Sequence, residues 1–437
     1  MATETDARPN PNRVRQVDGV VTFLHGAIMS SPNDHVVIVG AGHAGGTVCA
    51  LLRQYGFAGP ISLIGEEPIP PYQRPPLSKA WLKGEADADS LALKPLEFYA
   101  QNQIDFRPNL SATKLDRQAK AITLSDRTVV TYDTAILAMG MRPRALPLSG
   151  ANLSGVMSLR SAAEAEALKA ALRPGKRLAI IGGGFIGLEV AASARALGAD
   201  VVILEREARI LARNATEVLS NFFRAYHEAR GVHFRLGVQI TELIGSSGRV
   251  NGVKLADGEI VACDVVLVGI GGKSNDEIAA DAGLEVNRGI VVDHDARTSD
   301  PAVFAIGDVT SRPMRIYDRM FGPESVPNAL EQAKQAACAI TGRPQPPHEV
   351  PWNWSDQYDL KLQIAGLPFD ADSLLVRGDP AAGKFAVFHL KGDLVQCVEA
   401  VNAPPEYMMG RQLIGNRKPI NKLRLADPTI SMKEVAA

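Results

Sequence analysis

The chain has 437 residues, enough for two or three domains. Its 47 Lys and Arg against 48 Asp and Glu give a formal net charge of −1, which argues against a general nucleic-acid binder. Four cysteines without a C-x-x-C or other metal spacing argue against zinc and iron–sulfur frameworks and fit a reducing compartment such as the cytoplasm, and no apolar run approaches the ~20 residues of a membrane helix.

In chain order, residues 1–33 read as a loose extension, with Met29 as an alternative start. His35–Val39 is a short apolar strand. It runs into Gly40-Ala41-Gly42-His43-Ala44-Gly45, then a helix to about Tyr55, then strand Ile61–Ile64 ending at Gly65-Glu66. This is a strand–turn–helix–strand unit. Short strands at Ile122–Leu124, Val129–Thr131 and Thr134–Leu137 close on Ala138-Met139-Gly140. The pattern then recurs: strand Arg177–Ile181, the turn from Gly182 to Gly187, a helix over Leu188–Leu197, and strand Ala199–Leu204 ending at Glu205. Strands at Gly252–Leu255, Glu259–Ala262 and Asp264–Val268 close it on Gly269-Ile270-Gly271. A late segment, Thr298–Asp308, ends on VFAIGD, and a helical run covers Asn328–Ile340. The Pro-rich stretch Arg343–Pro351 reads as a linker. Strands at Lys361–Gly366, Ser373–Arg377, Lys384–Leu390 and Leu394–Val401 and a helix near Glu406–Ile414 make a small α+β tail.

One G-x-G-x-x-G is a weak signal. Its first glycine makes the turn, the second admits a diphosphate to the backbone, and the third lets helix pack on strand. The helix N-terminus then offers unpaired N–H groups to the phosphates. Two such turns in one chain are a strong signal, because two stacked dinucleotides form an electron-transfer pair. Glu66 and Glu205 are each placed to accept ribose hydroxyls. The first unit is extended by the late segment, whose Asp308 is placed to hold a ribityl chain, so a flavin is expected there and a nicotinamide coenzyme in the second.

Longer motifs are more specific. The stretch PYQRPPLSK (residues 71–79), GGGFIGLEVAA (182–192), TSDP…VFAIGD (298–308), ESVPNALEQA (324–333) and PWNWSDQYDLKLQ (351–363) resemble the FAD-dependent, NADH-linked ferredoxin reductases of cytochrome P450 and aromatic-ring dioxygenase systems. The resemblance runs from about residue 34 to beyond 415. It implies a glutathione-reductase-like α/β fold with two dinucleotide-binding domains and a C-terminal α+β domain. The expected limits are an FAD domain over 34–145 and 274–345, an inserted NAD domain over 146–273 and a tail domain over 346–437.

The resemblance also implies roles. Gly40, Gly42, Ala44, Gly45, Glu66, Arg74, Lys79, Ala112 and Arg160 contact FAD, Asp308 holds the ribityl chain and Val326 packs by the isoalloxazine. Gly182, Gly184, Gly187, Glu205, Arg213 and Gly271 belong to the NADH site. Lys79 and Glu189 form a pair near flavin N5. The partner is a [2Fe–2S] ferredoxin, with Lys334, Arg315 and Trp354 as candidate docking residues and Arg312 and Arg319 nearby. Met139 replaces the family's usual Thr, Gly272-Lys273-Ser274 replaces a V-x-P stretch, and Arg206 follows Glu205.

Plainer readings stand beside these. By composition alone Lys79 also reads as a solvent-facing helix-cap residue, Glu189 as a helix-dipole partner, Trp352 and Trp354 as core, and the three arginines at 312, 315 and 319 as solvated surface. Rival activities in this fold are a disulfide reductase or an NADH oxidase, each needing a reactive cysteine that the spacing does not provide, and a redox-sensing interaction flavoprotein of the apoptosis-inducing type.

Overall fold

The structure, a computed structural model, describes the strands Val14–Val17 and Val20–Phe23 and then residues 34–436. The two early strands pair antiparallel, so the expected loose extension contains a hairpin; Met29 lies outside the described residues. From there the chain forms two compact units. One comprises the residues up to Tyr72, Ala92–Met141 and Ser274–Glu349; the other comprises Gln73–Leu91, Arg142–Lys273 and Val350–Ala437.

The first unit is built on a five-stranded parallel sheet. Its order is Val303–Ala305, Thr134–Leu137, Val36–Val39, Ile61–Ile64, Ile104–Arg107. Val36–Val39 and Ile61–Ile64 are buried at every position. Unbroken apolar runs are what a parallel sheet covered on both faces requires. Helices His43–Gln54 and Val326–Thr341 share one core, where Ala44, Val48, Cys49 and Leu52 meet Ala329, Ala333, Ala336 and Ala337. The small alanines let the helices approach closely. The antiparallel sheet Ala112–Asp116, Ala121–Leu124, Val129–Thr131 shares a second core with this unit's strands.

The second unit repeats the plan. Its parallel sheet runs Val156–Met157, Val265–Val268, Arg177–Ile181, Asp200–Glu205, Val232–Leu236. The inner strands correspond one for one; the outermost comes from late in the chain in the first unit and from early in the second. The tail adds an antiparallel sheet ordered Trp352–Gln357, Leu360–Gly366, Leu394–Val401, Lys384–Lys391, Ser373–Asp379, with helix Pro404–Asn416 following. Trp352–Gln357 is a further strand, beyond those expected from the sequence.

Candidate active site

Both glycine turns have the same construction. Gly40 has φ +109° and Gly182 φ +110°, and a Cβ there would stand 2.3 Å from the Ala138 carbonyl oxygen and 2.4 Å from that of Gly269. A Cβ at Gly45 would meet Gly40 O at 1.9 Å, and one at Gly187 would meet Gly182 O at 2.5 Å. At the middle positions, Gly42 and Gly184, nothing lies within 4 Å. The turns are closed on the protein side and open where a diphosphate approaches.

The helices behind them, His43–Gln54 and Phe185–Ala196, start at Gly42 and Gly184 without a side-chain cap. Their first N–H groups are therefore left to a bound anion. The second helix starts at Phe185 rather than Leu188, which puts Glu189 beyond the first residues that face the dipole.

Glu205 ends its strand as expected. Its carboxylate accepts from the Gly183 N–H at 2.6 Å and from the Glu207 N–H at 2.9 Å. It is thereby fixed at the glycine turn with acceptor capacity left over. Gly271, at φ +100°, accepts at its carbonyl from Arg144 N–H at 3.0 Å. Arg213 is exposed. Of the neighbouring cations, Arg209 donates to Ala215 O, Ala212 O and Ser220 Oγ, and Arg206 pairs with Glu207 at 3.0 Å.

In the first unit, Gly307 brings VFAIGD to the first turn: a Cβ there would lie 3.1 Å from the Ala44 Cβ. Its N–H donates to Gln332 Oε1 at 2.8 Å, and Thr310 Oγ1 donates to the same oxygen at 2.9 Å. The amide orientation of Gln332 is thus fixed, and its Nε2 is buried with no protein partner. A stranded donor on the amide that accepts from Gly307, the residue before Asp308, fits a cofactor rich in acceptors, such as FAD. Val326 opens helix Val326–Thr341, whose N-cap Ser325 accepts from Asn328 N–H. Ala112 begins its strand, half-buried, and Glu66 is exposed just after Ile61–Ile64.

In the second unit, Arg74 Nη1 donates to Arg160 O at 2.6 Å, joining two residues named from the sequence. Lys79 Nζ meets Glu189 Oε2 at 2.7 Å, with side chains 18% and 6% exposed. Lys79 does stand at the N-cap position of the short helix Ala80–Lys83, but its side chain turns to Glu189 rather than to solvent. Two hydroxyls that the sequence reading gave no role also bind this carboxylate: Ser78 Oγ donates to Oε2 at 2.5 Å and Ser355 Oγ to Oε1 at 2.7 Å. Lys79 further donates to Pro75 O at 3.1 Å, which ties its stem to the RPPLSK turn.

The docking candidates divide. Lys334 and Arg315 are exposed in the first unit, whereas Trp354 lies in the second, its ring 5.5 Å from that of Trp352. Arg312 is not solvated surface: it is buried and donates to Asn328 Oδ1 and Glu331 Oε2, both at 2.9 Å.

Residues 34–333 match the pyridine nucleotide-disulphide oxidoreductase family, and residues 352–436 match the reductase C-terminal family. The probable ferredoxin reductase CtmF of Castellaniella defragrans is 53% identical over 405 residues, covering 92% of this chain and 99% of that one. The chain belongs to the ferredoxin reductases of this oxidoreductase family. This reductase is an FAD-dependent enzyme that uses NAD(H). It is 42% identical to rhodocoxin reductase of Rhodococcus erythropolis, with 91% of this chain and 93% of the relative covered. Among solved structures, the covalent putidaredoxin reductase–putidaredoxin complex matches with a TM-score of 0.90 at 39% identity, over 92% of this chain and 98% of that one.

Among the described residues the reductase holds no cysteine pair of the kind that disulphide reduction uses. Cys49, Cys263, Cys338 and Cys397 are all free and buried. Burial raises every one of their thiols, that of Cys263 to about 11, so none is held as a thiolate. No helix among the described residues is long and apolar enough to cross a membrane.

Proposed function

We propose that this reductase carries electrons from NADH to a [2Fe–2S] ferredoxin that feeds a P450 or Rieske-type oxygenase, in the reducing cytoplasm where four free thiols persist. Bound FAD supplies the step from hydride to single electrons. The chain's own groups bind and orient. The open turns at Gly42 and Gly184 take the two diphosphates, Glu205 holds the adenosine ribose of NADH, and Asp308 with Gln332 Nε2 holds the flavin. As the resemblance implies, Lys79 would offer its ammonium to the flavin near N5, with Glu189 holding Lys79 in place.

The observation that carries this reading is the duplicated open turn, each with an uncapped helix behind it, in a chain whose thiols are all buried and protonated. Two dinucleotide sites without a protein redox group send the electrons to an external carrier. The test is NADH-driven cytochrome c reduction with putidaredoxin as surrogate acceptor, together with anaerobic stopped-flow reduction by NADH. Ferredoxin-stimulated turnover, and slower hydride transfer in Lys79→Ala, are expected. Turnover indifferent to ferredoxin, with dimerisation on adding NADH, would favour the interaction flavoprotein instead.

A further inference from the structure

Strand Trp352–Gln357 alternates so that Ser355 and Gln357 share the buried face and Asp356 lies on the more open one. Buried polar groups are costly unless hydrogen-bonded. These two are bonded into a line. The Tyr358 hydroxyl lies 3.4 Å from His227 Nδ1, and His227 Nε2 lies 2.8 Å from Gln357 Oε1. Gln357 Nε2 donates to Ser355 Oγ at 3.1 Å, and Ser355 Oγ donates to Glu189 Oε1 at 2.7 Å.

Each link fixes the next. An amide oxygen only accepts, so His227 carries its proton on Nε2 and leaves Nδ1 to Tyr358. An amide NH2 only donates, so Ser355 accepts from it and gives its own proton to Glu189. Every donor in the line points toward the carboxylate. The line arrives at Oε1, while Ser78 and Lys79 occupy Oε2.

A proton relay would need every member to take up and release a proton. The Gln357 amide does neither near neutral pH, and burial lowers His227 to about 4, so it holds no second proton there. The line orients; it does not conduct.

We propose that Ser355 is a positioning residue for the Lys79–Glu189 pair, with its hydroxyl proton locked onto Glu189 by Gln357 and His227. This rests on the reading that places Lys79 at the flavin. Without the Ser355 donor, Oε1 is left buried without its hydrogen bond, and Glu189 is held toward Lys79 only through Oε2, by Ser78 and Lys79 itself.

The experiment compares Ser355→Ala, Ser355→Thr, Gln357→Met and Lys79→Ala in the FAD-loaded protein. It reads the stopped-flow rate of reduction by NADH and the midpoint potential of the bound flavin. Ser355→Ala is expected to slow reduction about tenfold and to move the potential in the same direction as Lys79→Ala. Ser355→Thr, which keeps the hydroxyl, restores both. Gln357→Met gives a smaller change of the same sign, and adds nothing when Ser355 is already Ala. If Ser355→Ala matches wild type while Lys79→Ala is slow, the positioning role is wrong and the reading of the pair stands. If Lys79→Ala itself matches wild type in rate and potential, the pair reading fails and this proposal falls with it. Should Ser355→Ala not fold, Gln357→Met carries the same test, and a wild-type rate and potential there would overturn the proposal.

Discussion

Glu399, in the tail sheet, holds Thr216, the N-cap residue of the helix Glu217–Glu228, whose hydroxyl accepts from the Leu219 N–H. The Thr216 N–H donates to both carboxylate oxygens, at 3.0 and 3.2 Å, and the Thr216 hydroxyl donates at 2.6 Å. Glu399 is buried, and His389 Nε2 lies 3.2 Å from it without hydrogen-bond alignment. That carboxylate fixes the capping residue of the helix Glu217–Glu228 and adds a negative charge near its N-terminus. Glu399→Ala leaves two buried donors unmet and should cost roughly 2–4 kcal/mol. Glu399→Gln, which keeps one acceptor, should cost less. Urea denaturation of both variants checks this; equal midpoints would mean that water replaces the carboxylate freely.

Coenzyme choice follows from Glu205. Its carboxylate is pinned by Gly183 and Glu207, and a 2′-phosphate there would meet a fixed negative charge. Arg209 is committed to its own loop, whereas Arg206, paired with Glu207 at the surface, and Arg213 are both exposed. NADH should therefore be preferred over NADPH in kcat/KM, and Glu205→Ala should narrow the ratio by about tenfold or more. Equal values for the two coenzymes in the wild type would remove Glu205 from this role.

Flavin retention should depend on Asp308. Losing a polar partner costs about 1–3 kcal/mol, or roughly fivefold to 150-fold in affinity. Asp308→Ala should shed FAD on gel filtration, and Gln332→Leu, which removes the stranded Nε2 donor, should do so more weakly. A fully yellow Asp308→Ala eluate would reassign the ribityl site.

Acid stability should track His227. Burial holds its imidazole at about 4 in the folded protein, against 6.5 ordinarily. Between those values the unfolded chain binds a proton that the native one does not, so stability is full above about pH 6.5 and falls as pH drops toward 4. Over that span the loss is about 3 kcal/mol. His227→Gln should flatten this part of the profile. Melting temperatures at pH 7.5 and 5 decide it: an unchanged difference in the variant would show that other groups set the acid limit.

The nucleotide-binding plan was legible because it is local. VVIVGAGHAG and LAIIGGGFIG each carry strand, turn and helix start within ten residues, and the apolar runs could only be covered parallel strands. The polar line behind Lys79 was not legible, because Ser355 and Glu189 are 166 positions apart and His227 and Gln357 are 130 apart. Only one cue was present: Ser355 and Gln357 are polar at alternate positions of a stretch otherwise suited to a strand, and polar residues on a buried strand face need partners. Arg312 misleads for the opposite reason. Beside Arg315 and Arg319 it reads as surface charge, yet its strand turns it inward to Asn328 and Glu331.

That distinction shapes the last prediction. Ferredoxins of P450 systems are generally acidic, so their reductases are expected to present accessible cations. Lys334 and Arg315 are exposed and qualify; Arg312 is consumed by an internal pair. Steering by exposed charge acts mainly on association rate and is screened by salt, with a Debye length of about 8 Å at 0.15 M. Lys334→Glu and Arg315→Glu should each raise the KM for ferredoxin severalfold at low salt and leave NADH–ferricyanide turnover intact. Arg312→Glu should instead lower the melting temperature, because it would set two carboxylates against each other in a buried site. Cytochrome c reduction through putidaredoxin at two ionic strengths separates these cases. A KM indifferent to salt, or charge reversals at 334 and 315 that damage ferricyanide turnover as well, would move the docking surface to another face of the protein.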